Sequence, residues 1–212
     1  VLPLEFPLYE WGVVALSRTS GWPQFQAART LSLACFYLTL PALFLLLGQL
    51  DLTRPRRLFV LACALACPVY LFYSRAFLID PMALMASIWF LVAFTRMMAA
   101  VTGGDSHGRK TSSATRWGWL PVVVLCGIAA GLIKSLVWFV WVVPAALYGA
   151  WRLWCDWREG GLRPALRTCI WGLGSVLVPF AVALWWARYT DAIKAAHPAA
   201  SIFTSTNLAR DN

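Results

Sequence analysis

"LFVLACALACPVYLFYSRAFLIDPMALMASIWFLVAF", residues 58–94, carries only two charged side chains in 37 positions, Arg75 and Asp80. A helix that crosses a bilayer needs about 20 mostly apolar residues. Residues 58–75 and 81–100 each meet that requirement, so the short break between them reads as the turn of a membrane hairpin. In a soluble protein the same pair would mark an ordinary surface turn. Beside hydrocarbon, ionisable groups are costly unless paired, and they mark candidate sites by default.

The rest of the chain supports a lipid solvent. Of its 212 residues 60% are hydrophobic and 13% charged, with mean hydropathy +0.67. Soluble domains carry about 25% charged residues. The 13 Trp and 12 Phe suit a bundle whose aromatic rings sit at the membrane–water interface. Four further spans are expected at 29–50, 117–133, 135–151 and 167–187, which makes about six in an all-α, polytopic transmembrane bundle. Residues 7–17, "PLYEWGVVALS", are too short to span and carry Tyr9 and Trp11 beside Glu10, the pattern of a helix lying in the interface. Residues 1–187 form the transmembrane part, and 188–212 begin an outer segment. The start at Val1 reads as a fragment of a longer chain, and "VLPLEFPLYEW" lacks the basic n-region of a signal peptide.

Orientation follows from Lys and Arg. The segments around 51–57, 96–116 and 151–167 hold 11 of the 18 basic residues and 4 of the 9 acidic ones. The other side holds the remaining 7 and 5. By the positive-inside rule the first set is cytoplasmic. The net charge of +9 is therefore a topology signal with a lipid-headgroup component, and it gives no support for nucleic acid as a partner.

Other motifs carry little. "GGDSHGRKT" (103–111) has glycines and a lysine, but an Arg separates Gly108 from Lys110 and no strand precedes it, so it fails as a phosphate loop. Cys63 and Cys67 stand four apart on one helix face, yet free cysteines in apolar runs usually pack as small hydrophobes. His107 and His197 lie in polar segments with no metal-ligand spacing around them.

The outer side is where chemistry would sit. Glu5, Glu10, Arg75, Asp80 and Lys134 share that membrane level. Lys134, in "GLIKSLVW", separates two apolar runs and could hold a lipid phosphate or an anionic substrate. A blander reading has Arg75 and Lys134 reaching to headgroups and Asp80 capping the helix that starts at Pro81. Capping and ionisation are compatible, because a helix N-terminus favours a carboxylate.

Several stretches, in order, resemble the membrane glycosyltransferases of the protein O-mannosyltransferase and lipid A aminoarabinose transferase type. "EFPLYEW" (5–11) is similar to the start of that family's interfacial helix, with Pro7, Leu8 and Trp11 in place. "QAARTLSL" (26–33) is similar to its next element. "YSRAFLIDPMALM" (73–85) resembles its Arg-to-Asp-Pro turn, "GIAAGLIKSLVWFVWVVPAALY" (127–148) its Gly-Leu-x-x-Lys hairpin, and "RYTDAIKAAHPAASIFTSTNL" (188–208) the start of an outer segment. The resemblance implies a GT-C fold in the cytoplasmic (inner) membrane. It implies transfer of a sugar from a polyprenyl-phosphate donor to a lipid or protein/glycan acceptor on the extracytoplasmic face. On this reading Asp80, Glu5 and Glu10 are the candidate catalytic carboxylates, and Arg75, Lys134 and Tyr9 would bind the lipid phosphate. No cofactor is assigned, and a divalent metal is left open. The family's principal acidic residue lies in a first outer loop, which here would precede Val1, so residues 1–212 alone are expected to be inactive. The competing classes are a transporter or lipid flippase, which would place ionisable groups near mid-membrane in broken helices, and a non-catalytic membrane protein.

Overall fold

The computed structural model of the chain describes residues 6–68, 79–102 and 113–195. Among them are seven α-helices and no strand: α1 (Leu8–Ser20), α2 (Gln24–Gln49), α3 (Arg54–Ala66), α4 (Asp80–Thr102), α5 (Ser113–Ile133), α6 (Ser135–Gly160) and α7 (Leu162–Ala195). The expected all-α bundle is present. Four segments, Gln24–Gln49, Asp80–Val101, Ser135–Glu159 and Leu162–Ala195, are long and apolar enough to cross a membrane. Gly118–Ile133 is a shorter apolar helix. The 26 residues of α2 rise about 39 Å at 1.5 Å each, more than the roughly 30 Å of a hydrocarbon core.

The apolar distribution explains which helix is central. Along α4, Ala86, Ile88, Phe90, Leu91, Val92, Ala93, Phe94, Met97 and Met98 are all buried, so it has no polar face to turn outward. Its spanning window is 72% buried, against 28%, 11% and 22% for those of α2, α6 and α7. Leu136, Val140, Val143 and Leu147 of α6 point outward and are exposed. A continuous apolar exterior is a liability in water, but in a bilayer it is the ordinary solvent-facing surface.

Close approach and a few polar ties hold the bundle. Gly127 and Gly131 stand one turn apart on α5. A Cβ on Gly127 would lie 2.7 Å from Pro179 Cγ and 3.1 Å from Phe90 Cδ2, and one on Gly131 would lie 3.3 Å from Ala183 Cβ. Small residues let membrane helices pack backbone to backbone where no hydrophobic effect drives them together. Between α2 and α4, Trp89 Nε1 donates to the Leu38 carbonyl at 3.1 Å, and Gln49 Nε2 to that of Val92 at 3.3 Å. Thr95 completes this tie by donating to the Gln49 side-chain oxygen.

Several boundaries differ from the sequence reading. The span expected at 58–75 begins as α3, which ends at Ala66 with Cys67 extended, and residues 69–75 lie outside the described residues. The expected inner loop 151–167 is helical: α6 continues to Gly160, Gly161 alone makes the turn at φ 79°, and α7 starts at Leu162. Charged and aromatic residues end a membrane span without ending a helix, because a helix is equally satisfied in water. For the same reason α7 runs on past 187 to Ala195, into the segment expected to be extramembranous. The helix expected to lie in the interface is α1, Leu8–Ser20. It stops at Gly21, whose left-handed φ of 70° lets its N–H close onto the Ser17 carbonyl.

Candidate functional site

The start of α4 and the end of α5 reach α1 at one pole of the bundle, where α6 also begins and Trp186 of α7 meets Phe6. Lys134 is the only non-helical residue between α5 and α6. Its backbone is extended (φ −156°, ψ 93°), its N–H donates to the Ala130 carbonyl at 3.0 Å, and its own carbonyl accepts from Trp138 N–H at 3.2 Å. One residue thus finishes one helix and starts the next, which fixes where its side chain emerges.

Asp80 opens α4. The first helical backbone bond there runs from Ala83 N–H to the Ile79 carbonyl at 3.1 Å, so Ile79 occupies the capping position and Asp80 is already inside the first turn. Its carboxylate is directed across the bundle. Lys134 Nζ donates to Asp80 Oδ1 at 2.6 Å, with the two side chains 31% and 28% exposed. Fifty-four positions apart in sequence, the two residues form one half-buried ion pair at the rim. The capping role considered from the Asp-Pro pattern gives way to this partner among the described residues.

Helix α1 is fastened beside the pair from two directions. Phe6 N–H donates to the Leu132 carbonyl at 3.2 Å, two residues before Lys134. Tyr9, Val13, Ala27 and Ala28 form a small buried cluster, covered by Ile79 and Met82 on either side of the Asp80–Pro81 turn. The Tyr9 hydroxyl donates to the Ala28 carbonyl at 3.0 Å and shares a 2.8 Å hydrogen bond with Ser32 Oγ. Burial pushes the phenol above its ordinary range, so it stays protonated at neutral pH. Tyr9 therefore ties α1 to α2, where the sequence reading gave it to a lipid phosphate. The geometry replaces ligand contact with anchoring for this residue.

Glu10 stands exposed in the first turn of α1 and has no ion-pair partner among the described residues. Glu5 and Arg75 lie outside the described residues. Of the six candidates, Asp80 and Lys134 are brought together, Tyr9 is held just below the surface of the same pole, and Glu10 faces outward from the adjoining turn.

Two features were missed from sequence. Trp138, one turn beyond Lys134, is fully buried against Ala86 and Ala130, and its indole N–H has no acceptor among the described residues. Trp186 stacks edge-on to Phe6 at 4.8 Å, and its Nε1 also lacks an acceptor among the described residues. The i,i+4 spacing of Lys134 and Trp138 was visible, but a Trp in an apolar helix has no pattern that separates a packing role from a polar one. At the far end of α7, Lys194 is buried and lies 3.7 Å from Asp191. It was read as part of an outer tail because its helix was expected to have ended.

A carboxylate and an ammonium in contact at a half-wet rim can perform two elementary tasks. The carboxylate can take a proton from a hydroxyl. The ammonium can pair with a phosphate that displaces it from the carboxylate. No group of three or more His, Cys, Asp or Glu side chains that could hold a metal exists among the described residues. Comparison with protein-family models, with curated proteins and with solved structures finds no match to this chain.

Proposed function

We propose that the chain is the membrane part of a glycosyltransferase that moves a sugar from a polyprenyl-phosphate carrier to a lipid or protein/glycan acceptor on the outer face of the cytoplasmic membrane. The observation that carries this reading is the Asp80–Lys134 pair, set at the rim beside an interfacial helix. In the reaction, Lys134 exchanges Asp80 for the carrier phosphate, and Arg75 is the second candidate cation. The acceptor hydroxyl attacks the anomeric carbon from the face opposite the phosphate, and its proton passes to the Asp80 carboxylate. The carbon–oxygen bond to phosphate breaks with its electron pair on the leaving oxygen, where Lys134 offsets the charge. Glu10 and Glu5 are the alternative carboxylates on the same side.

A transporter or flippase is the less favoured class. The pair stands at helix ends, whereas a transport site would need ionisable groups at mid-span. The test is transfer from a purified polyprenyl-phosphate sugar to an acceptor extract, using the full-length protein. Lys134→Met, which removes the cation and keeps an apolar stem, is expected to weaken binding of the carrier phosphate. Unchanged carrier binding would dismiss the assignment.

A further inference from the structure

At the opposite pole, the α6–α7 hairpin concentrates charge and exposed aromatic surface in a way that the sugar-transfer reading does not use. Asp156 accepts a hydrogen bond from Thr168 across the hairpin, which pins the two helices and isolates an 11-residue tip, 157–167. That tip carries Arg158, Arg163 and Arg167 against the single acid Glu159, and all four are exposed. Trp154 and Trp157 stand 54% and 60% exposed on the outer side of α6, so neither is packed into the bundle. The Arg158 guanidinium lies over the Trp154 ring at 5.5 Å from its centroid, within the range of a cation–π contact.

Two other arginines at this pole, Arg57 and Arg96, are engaged with the protein, while Arg54 and Arg56 are exposed. Arg57 Nε donates to the Leu52 carbonyl at 2.6 Å, and Arg96 lies over Trp119, which is partly buried against the core. The hairpin combines three exposed arginines with two large, exposed amphipathic rings, one of them under Arg158. Indole rings prefer the headgroup level of a bilayer. Guanidiniums pair well with phosphate, and the inner leaflet that this pole faces under the positive-inside rule is the anionic one.

From this charge complementarity we infer that the α6–α7 hairpin is a binding surface for anionic phospholipid headgroups of the cytoplasmic leaflet. Trp154 and Trp157 lie at the glycerol level, and Arg158, Arg163 and Arg167 hold the phosphodiesters. The surface is separate from the Asp80–Lys134 pole and does not depend on the function proposed for it.

The experiment reconstitutes the whole chain in nanodiscs of phosphatidylcholine with and without about one-third phosphatidylglycerol. Lipid retained by the protein after extraction into detergent is then counted by native mass spectrometry. Phosphatidylglycerol is expected to be retained in preference to phosphatidylcholine. The triple variant R158Q/R163Q/R167Q is expected to lose roughly fivefold in apparent affinity per arginine, about a hundredfold in all. R158K/R163K/R167K keeps the charge and separates headgroup binding from misfolding, because it is expected to retain most of the preference. Equal retention of the two lipids by the native chain would overturn the inference, as would an unchanged preference in the glutamine triple. So would retention of soluble polyglutamate with no lipid preference, which would point to an acidic protein partner.

Discussion

Replacing Asp80 by Asn separates a role in packing from a role in chemistry, because the two predict losses of very different size. Asn keeps the volume of Asp and can still accept a hydrogen bond from Lys134. The native contact is short, 2.6 Å, but both side chains are about 30% exposed, so most of its Coulomb energy is screened. Pairs this exposed contribute at most about 1 kcal/mol. For a domain of this size such a loss lowers Tm by about 2–4 °C. A carboxylate that removes a proton in the transition state contributes about 10²–10⁴-fold, or roughly 3–5 kcal/mol. The lysine also loses its competitor. Asp80→Asn is therefore expected to bind the carrier phosphate as tightly as the native protein or more so, while turnover collapses. Lys134→Met is expected to lose both binding and turnover. The measurements are thermal unfolding in detergent, equilibrium binding of a polyprenyl phosphate, and transfer from the lipid-linked sugar. Asp80→Asn with full turnover would refute the base assignment and leave the pair as an architectural contact between α4 and the α5–α6 turn.

Gly127→Ala is expected to destabilise the bundle by about 1–3 kcal/mol, less the roughly 1 kcal/mol gained in helix propensity, because the new methyl would meet the rigid Pro179 ring at 2.7 Å; a thermal melt that rises would disprove this close packing. Tyr9→Phe is expected to cost about 0.5–1.5 kcal/mol for its hydrogen bonds, and to loosen α1 as seen by faster proteolysis or amide exchange over residues 8–20. Burial raises the Tyr9 phenol, so the unfolded chain ionises first. The Tyr9 contribution to stability is intact below about pH 10 and lost as pH rises above it, a slope that Tyr9→Phe should remove from the alkaline unfolding curve. Single cysteines placed in the 157–167 tip of an otherwise cysteine-free chain should resist an impermeant thiol reagent in intact cells and label after lysis, whereas a cysteine at 10 should label from outside; the reverse pattern would invert the topology.

The membrane character and helical class were legible because hydropathy accumulates over about 20 residues and no local detail can cancel it. Helix ends were less legible. "WRLWCDWREG" stops a hydrophobic span but has no helix breaker before Gly160, so α6 runs on where hydropathy alone suggested a loop. The site was half legible for a related reason. Asp80 and Lys134 stood out as isolated charges between apolar runs, and their common depth placed them on one pole. Their pairing depends on α4 meeting the α5–α6 turn, which is set by Gly127 and Gly131 allowing α5 against its neighbours. Nothing in the local sequence of either charged residue encodes that approach. Tyr9 shows the reverse case. Its neighbours Glu10 and Trp11 made it look like part of an exposed interfacial face, yet helical geometry turns successive residues by about 100°, which puts Tyr9 inward while Glu10 and Trp11 stay outside. A charge in an apolar chain thus announces itself by composition, whereas a tyrosine takes its meaning from the helix face it occupies. A function that relies on Lys134 must in turn supply an anion strong enough to take it from Asp80. A carrier phosphodiester, whose negative charge is shared by two non-bridging oxygens, meets that requirement better than a neutral acceptor, which is the physical reason to look for the donor, and not the acceptor, at this lysine.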